Sequence, residues 1–199
     1  MAKFTETELK LYVPDLAAVA RRLDEVGARV TAPRIHEVNV RYDDSAMTLS
    51  TARRVLRLRR DTRIRLTYKD ERGERTKDDA TSRFEAEVEV SDFEAMQAIL
   101  EKLGYHAFMI YEKYRTTYEL DGAEVTLDEM PYGNFVEIEG EADSIGEVLE
   151  RLRLQTAPRF AEGYITLFER VKRHLGTDFQ DLTFANFERI EVPLSAFKS

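Results

Sequence analysis

No cysteine occurs in the 199 residues. Its absence removes a disulfide framework, a thiolate metal site and a cysteine nucleophile together. Histidine is almost as scarce, and His36, His106 and His174 are scattered along the chain, which fits structural or surface roles better than a shared site. Apolar runs are short. None approaches the ~20 residues that span a bilayer, and MAKFTETELK at the start has no apolar signal-peptide core. Positive charge is not in excess either. The formal net charge is -8, which argues against a general binder of nucleic acid or of an acidic membrane. No internal repeat and no low-complexity linker interrupts the sequence. These absences make a cytoplasmic protein the default expectation, and a monomer or homodimer acting on a small molecule is expected alongside it.

What the chain does have is charge in abundance: 34% of residues are charged, against 43% hydrophobic. A chain of this length can bury about 70% of its unfolded surface, so the charges do not preclude a core. Period-two alternation predicts strands at 4–13, 35–44, 54–60, 63–70, 83–90, 107–120, 123–130 and 135–141. Helical spacing with Pro, Ser or Gly at the ends predicts helices at 14–27, 91–104, 144–155 and 163–176. Asp61-Thr62 and Asp121-Gly122 read as hairpin turns. Residues 70–80, DERGERTKDDA, read as a charged loop and a candidate lid. The expected layout is one domain over 1–176 and an extension at 177–199, packed on it or trailing from it.

The charges are sorted by strand. In FTETELKLYV, Glu6, Glu8 and Lys10 share one face while Leu9, Leu11 and Val13 share the other. The first, fifth and eighth strands carry E-x-E (Glu6/Glu8, Glu85/Glu87, Glu137/Glu139). The third and sixth carry R-x-R or K-x-R (Arg57/Arg59, Lys113/Arg115). Any one such strand is ordinarily the wet face of a half-buried sheet. As a set, stacked like charges repel and perturb one another's titration. The arrangement becomes sensible if the carboxylates hold divalent cations and the basic pairs hold a polyanion. About eight antiparallel strands can close into a barrel. With the helices covering the apolar outer faces, the result is an α+β protein: an eight-stranded antiparallel β-barrel, a tunnel with a polar lumen. Guanidinium forks match phosphate oxygens, and carboxylate clusters suit Mg²⁺ or Mn²⁺.

With these residues the sequence resembles the CYTH family, the triphosphate tunnel metalloenzymes. ETELK matches its E-x-E-x-K signature. The likeness continues through LRLR, LTYK, FEAEVE, EKYR, LDEMPYGNFVEIEG and GYITLF, over residues 4 to about 170. The resemblance implies a triphosphate bound inside the barrel and a requirement for Mg²⁺ or Mn²⁺. It implies either a triphosphatase or, as the alternative, a class IV adenylate cyclase. Carried over by position, it makes Glu6, Glu8, Glu137, Glu139 and Asp128 metal ligands. Lys10, Arg57, Arg59, Lys69, Lys113 and Arg115 become the phosphate grip, and Lys10, Glu87 and Asp128 the catalytic set. One departure stands out: where thiamine triphosphatases and class IV cyclases show D-x-Y-[YF]-D on the second strand, this chain reads NVRYDD. Arg41 takes the place of the first aromatic, which lowers a specific thiamine triphosphatase assignment and weakens the cyclase reading.

Overall fold

The computed structural model describes residues 5–75 and 81–198, with side chains described for all of these except 5, 6, 71–75 and 81–83. Nine strands occur among them: β1 (Thr5–Tyr12), β2 (Arg29–Asp43), β3 (Arg54–Arg60), β4 (Ile64–Arg75), β5 (Thr81–Val90), β6 (His106–Leu120), β7 (Ala123–Met130), β8 (Gly133–Glu139) and the two-residue β9 (Arg159–Phe160). The helices are α1 (Leu16–Glu25), α2 (Thr48–Thr51), α3 (Phe93–Lys102), α4 (Ala142–Arg151), α5 (Tyr164–Leu175) and α6 (Phe184–Phe187), with a final 3₁₀ turn at Leu194–Phe197.

The strands form one antiparallel sheet in the order β5-β4-β3-β2-β6-β7-β8-β1-β9. The start of β1 also pairs with β5, placing Thr5 opposite Phe84 and Glu8 opposite Thr81. Eight strands thus return on themselves through this one short ladder, and β9 adds a small flap beside Lys10 and Leu11. The alternation read from the sequence decides which face points where. On β8, Val136 and Ile138 are fully buried outside the barrel, in one apolar cluster with Leu9 and Leu11 of β1 and Val125 of β7. Helices α1 and α4 seal that cluster with Leu23, Ile145 and Val148. Asp15 starts α1 by accepting from the Ala18 amide at 3.0 Å, satisfying one of the free N–H groups of the first turn. A smaller cluster, with Tyr42, Leu58, Phe93 and Leu100 buried, sets α3 against β2 and β3.

The inward-facing positions change character along the barrel. Tyr12 follows Lys10 in the same parity, Phe135 precedes Glu137, and Tyr111 precedes Lys113. Tyr12 and Phe135 meet edge-on at 5.6 Å, and Phe197 packs against both, tilted on Tyr12 and edge-on to Phe135. Helix α5 adds Leu167 and Phe168, and the C-terminal residues add Leu182, Phe187 and Phe197, all buried in this third cluster. The tail is pinned by backbone as well: Leu182 donates to the Ile110 carbonyl at 2.9 Å and accepts from the Glu112 amide at 3.0 Å. The tail and α5 therefore form an aromatic stopper where the lumen would otherwise be apolar and open.

The strands depart most from the sequence expectation at three places. Strand β2 begins at Arg29 rather than 35, because its first residues pair with β6 across register shifts around Ala32. Pro33 lacks an N–H, so the ladder steps past it. Strand β4 continues to Arg75, into what reads as a loop, and residues 76–80 of the candidate lid lie outside the described residues. The ninth strand, β9, sits in the segment between α4 and α5 that carries no alternation.

Candidate active site

The lumen holds a cavity of about 560 Å³. Every described strand of the closed ring contributes to it except β7's central residues. Strand β1 gives Glu8 and Lys10, β2 gives Arg41, β3 gives Arg57 and Arg59, and β4 gives Arg65, Thr67 and Lys69. Strand β5 gives Glu85 and Glu87, β6 gives Tyr111, Lys113 and Arg115, β7 gives Glu124 at its start, and β8 gives Glu137 and Glu139. Tyr164, the first residue of α5, closes one side. The side chain of Glu6 lies outside the described residues.

These groups form a belt of alternating charge. Lys10 lies 3.1 Å from Glu137, which accepts from Arg115 at 2.6 Å. Arg115 forks onto Asp128 at 2.6 and 2.5 Å, and Lys113 meets the same carboxylate at 3.0 Å. Lys113 also stands 3.5 Å from Glu37, which Arg59 approaches at 3.3 Å. Arg59 then reaches Glu87 at 2.9 Å, and Glu87 accepts from Thr67 at 2.8 Å. Arg57 continues the belt with a 3.1 Å bond to Tyr111, and Lys69 pairs with Glu85. Each cation is held in place by carboxylates before any ligand arrives. That is the preorganisation that makes charge stabilisation effective.

Burial would push these carboxylates up, and the neighbouring cations decide otherwise. Burial opposes ionisation of Glu137, but Lys10 and Arg115 outweigh it and hold the group well below the usual carboxylate range. Glu37 behaves likewise under Lys113, Arg115 and Arg59, and Glu87 under Arg59. Tyr111 is fully buried, yet Arg57 beside it draws the phenol below its ordinary value. Glu139 is the exception. Burial, then Glu124 and Glu8, raise it to about 7, because it stands between those two across adjacent ladders. A carboxyl raised by burial and by two neighbouring carboxylates is one that a nearby cation would help to ionise.

No group of three or more histidine or acidic side chains is drawn tightly enough together to hold a metal ion among the described residues. The donor chemistry nonetheless fits the implied Mg²⁺ or Mn²⁺. Glu8, Glu124 and Glu139 are hard oxygen donors on neighbouring strands facing one lumen, and their mutual repulsion is what a divalent cation relieves. Asp128 occupies a different setting. It is fully buried behind the lumen wall, and beyond its pairs with Lys113 and Arg115 it accepts from the Tyr164 hydroxyl at 2.7 Å.

The structure brings Glu8, Lys10, Arg57, Arg59, Lys69, Glu87, Lys113, Arg115, Glu137 and Glu139 around one cavity. Glu37, Tyr111, Glu124 and Tyr164 join the site beyond the residues expected from the sequence. Glu37 shares parity with Arg41 across Asn39, and Tyr111 with Lys113, so the same alternation could have found both. Arg41 lines the cavity, while Tyr42 faces outward, buried with Leu58 and Phe93. The departure at NVRYDD therefore adds a cation to the lumen rather than an aromatic ring.

Residues 5–163 match the CYTH domain family, and the chain belongs to that family. A Methanocaldococcus jannaschii protein provisionally named an adenylate cyclase is 27% identical over 152 residues, covering 74% of this chain and 85% of that one. The PH1819 protein of Pyrococcus horikoshii is 29% identical and superposes with a TM-score of 0.65, over 82% of this chain and 98% of its own. HpAC1 from Hippeastrum, provisionally called an adenylyl cyclase and described as having a dominant triphosphatase activity, is 20% identical. It shares the fold with a TM-score of 0.63, over 87% of this chain and 97% of that one.

Proposed function

We propose that this protein is a divalent-metal-dependent triphosphatase that holds its substrate in the lumen and releases the terminal phosphate. The single observation that carries the reading is the belt of preformed Lys–Glu and Arg–carboxylate pairs around a cavity large enough for a triphosphate. Lys10, Arg57, Arg59, Lys69, Lys113 and Arg115 grip phosphate oxygens, with Arg41 and Arg65 added to that set. Mg²⁺ or Mn²⁺ held by Glu8 and Glu139, with Glu6, Glu124 and Glu137 alongside, would neutralise charge on the transferred phosphoryl group and favour an ionised attacking water. The chain's own part is positioning. Asp128 fixes Lys113, Arg115 and Tyr164 in one geometry. Glu87 fixes Arg59, with Thr67 as the third contact. Water gives up a proton to solvent as its oxygen bonds to the terminal phosphorus and the bridging P–O bond breaks; phosphate is released, and the bridging oxygen leaves on diphosphate or on an organic diphosphate, stabilised by the cations around it.

The names of the relatives favour a second reading, an adenylate cyclase that forms cyclic AMP and pyrophosphate from ATP. The lining argues for hydrolysis instead. Its aromatic members are Tyr111, which is buried, and Tyr164, whose ring already has the Lys10 and Lys113 ammonium groups 4.6 and 5.5 Å from its centroid, so the lining offers little ring face for a purine. Phosphate release from tripolyphosphate, thiamine triphosphate and ATP, measured with each metal, tests the proposal. Chromatography of the ATP products separates the readings. ADP with phosphate is the expected outcome, and cyclic AMP as the main product would replace hydrolysis with cyclisation.

A further inference from the structure

The lumen has a second chamber of about 280 Å³, opening at the β3–β4 turn beside Asp61, Thr62 and Arg63. It shares Arg59, Arg65, Arg115 and Glu124 with the main cavity, so the two chambers adjoin across those side chains. Its walls are as rich in guanidinium groups as the main cavity, with Arg63 joining the shared three. One feature distinguishes it. Glu37 faces this chamber and not the larger one, and sits where the two meet. Its side chain is 5% exposed, clamped between Arg59 at 3.3 Å and Lys113 at 3.5 Å. Arg65 is tied on the same side to Asp61. A phosphate chain advancing past Arg59 into this chamber would pass beside a fixed carboxylate and compete with it for Arg59 and Lys113.

We propose that Glu37 is a specificity-determining residue that ends the phosphate track. It stops the chain at the third phosphoryl group and keeps a fourth out of the second chamber. This inference rests on the triphosphate reading of the lumen and adds chain length to it. The physics is a difference of affinities: the barrier is a charge set against the wrong ligand rather than a contact made to the right one. The carboxylate is well placed for that task. It is buried, so its repulsion is poorly screened, and its two cationic partners cannot swing away, because Arg59 is also held by Glu87 and Lys113 by Asp128.

Calorimetric binding of tripolyphosphate and tetrapolyphosphate to the intact wild-type chain and to Glu37→Gln and Glu37→Asp tests this, run beside phosphate release. In Glu37→Gln, the affinity for tetrapolyphosphate relative to tripolyphosphate rises about ten-fold over wild type, as expected for removing one nearby charge. Glu37→Asp keeps the charge and the wild-type ratio. An unchanged ratio in Glu37→Gln overturns the proposal. So does a wild type that already binds tetrapolyphosphate about ten-fold more tightly than tripolyphosphate, an outcome that needs no variant to fold. Selective binding without hydrolysis of either compound would leave Glu37's role standing and sink only the enzymatic reading.

Discussion

Glu139 states the site's chemistry most compactly. In the metal-free protein it is raised to about 7 by burial and by Glu124 and Glu8. An unfolded glutamate titrates near 4.3. The folded state therefore binds the proton more tightly, and stability falls as pH rises from the unfolded value through about 7. Thermal melts of metal-free protein across pH 5–8 should show that decline, and Glu139→Gln should flatten it. Added Mg²⁺ should raise the melting temperature more at pH 8 than at pH 5. Equal stabilisation at both would mean the cation binds elsewhere. Asp128 makes the opposite case. Its oxygens are already taken by Lys113, Arg115 and Tyr164. Asp128→Asn would leave buried cations underpaired, which costs about 3–5 kcal/mol when one partner of a buried pair is lost. Chemical denaturation should read that loss, with activity falling in step because Arg115 loses its orientation.

At the scale of elements, two attachments hold the tunnel in shape. Asp43, at the end of β2, is buried and accepts from the amides of Asp44, Leu49 and Ser50 at 2.8–2.9 Å, fixing the turn into α2. Burial works against it, but the bonds from Ser50 and Leu49 hold its carboxyl below the ordinary value. The contribution is complete above the unfolded aspartate range near 3.9 and is lost as pH falls through the folded value. Asp43→Ala should cost about 1–3 kcal/mol at neutral pH and proportionally less near pH 3. Phe197 is the other attachment, buried against Tyr12, Tyr132, Phe135 and Phe160. Phe197→Ala should lose about 3–5 kcal/mol in an unfolding titration. These elements also mark how far the sequence could be read. Alternation on β3, β5 and β8 disclosed both the strands and their charged faces, because period two is a local property. The start of β2 was hidden, since Pro33 breaks the local pattern and only β6 supplies the missing partner. The tail was hidden for the same reason: Leu182, Phe187 and Phe197 have no periodicity of their own, and they are held by distant partners, Leu182 by the β6 backbone, Phe187 by Tyr132 and Phe168, and Phe197 by Tyr12 and Phe135. Glu37 was legible in parity but not in purpose, because its partners come from β3 and β6.

The whole molecule is a barrel that spends its interior on charge and its exterior on the hydrophobic core. Clusters of apolar residues lie outside the sheet, under α1, α3 and α4, and a further one caps the lumen under α5 and the tail. No helix is long and apolar enough to cross a membrane among the described residues. A lumen this polar is costly to keep dry, and the proposed metal-bound triphosphate would complete it. Phosphate release from tripolyphosphate, with Mg²⁺ or Mn²⁺ and with chelator, in wild type and Glu8→Gln, tests that claim most directly. Metal-dependent release by wild type, its loss with chelator, and a fall of about 10²–10³ in Glu8→Gln with the melting temperature retained are expected, the last on the scale seen when one charge-stabilising group is removed. Full activity in Glu8→Gln, or no release from any triphosphate with either metal, would contradict it.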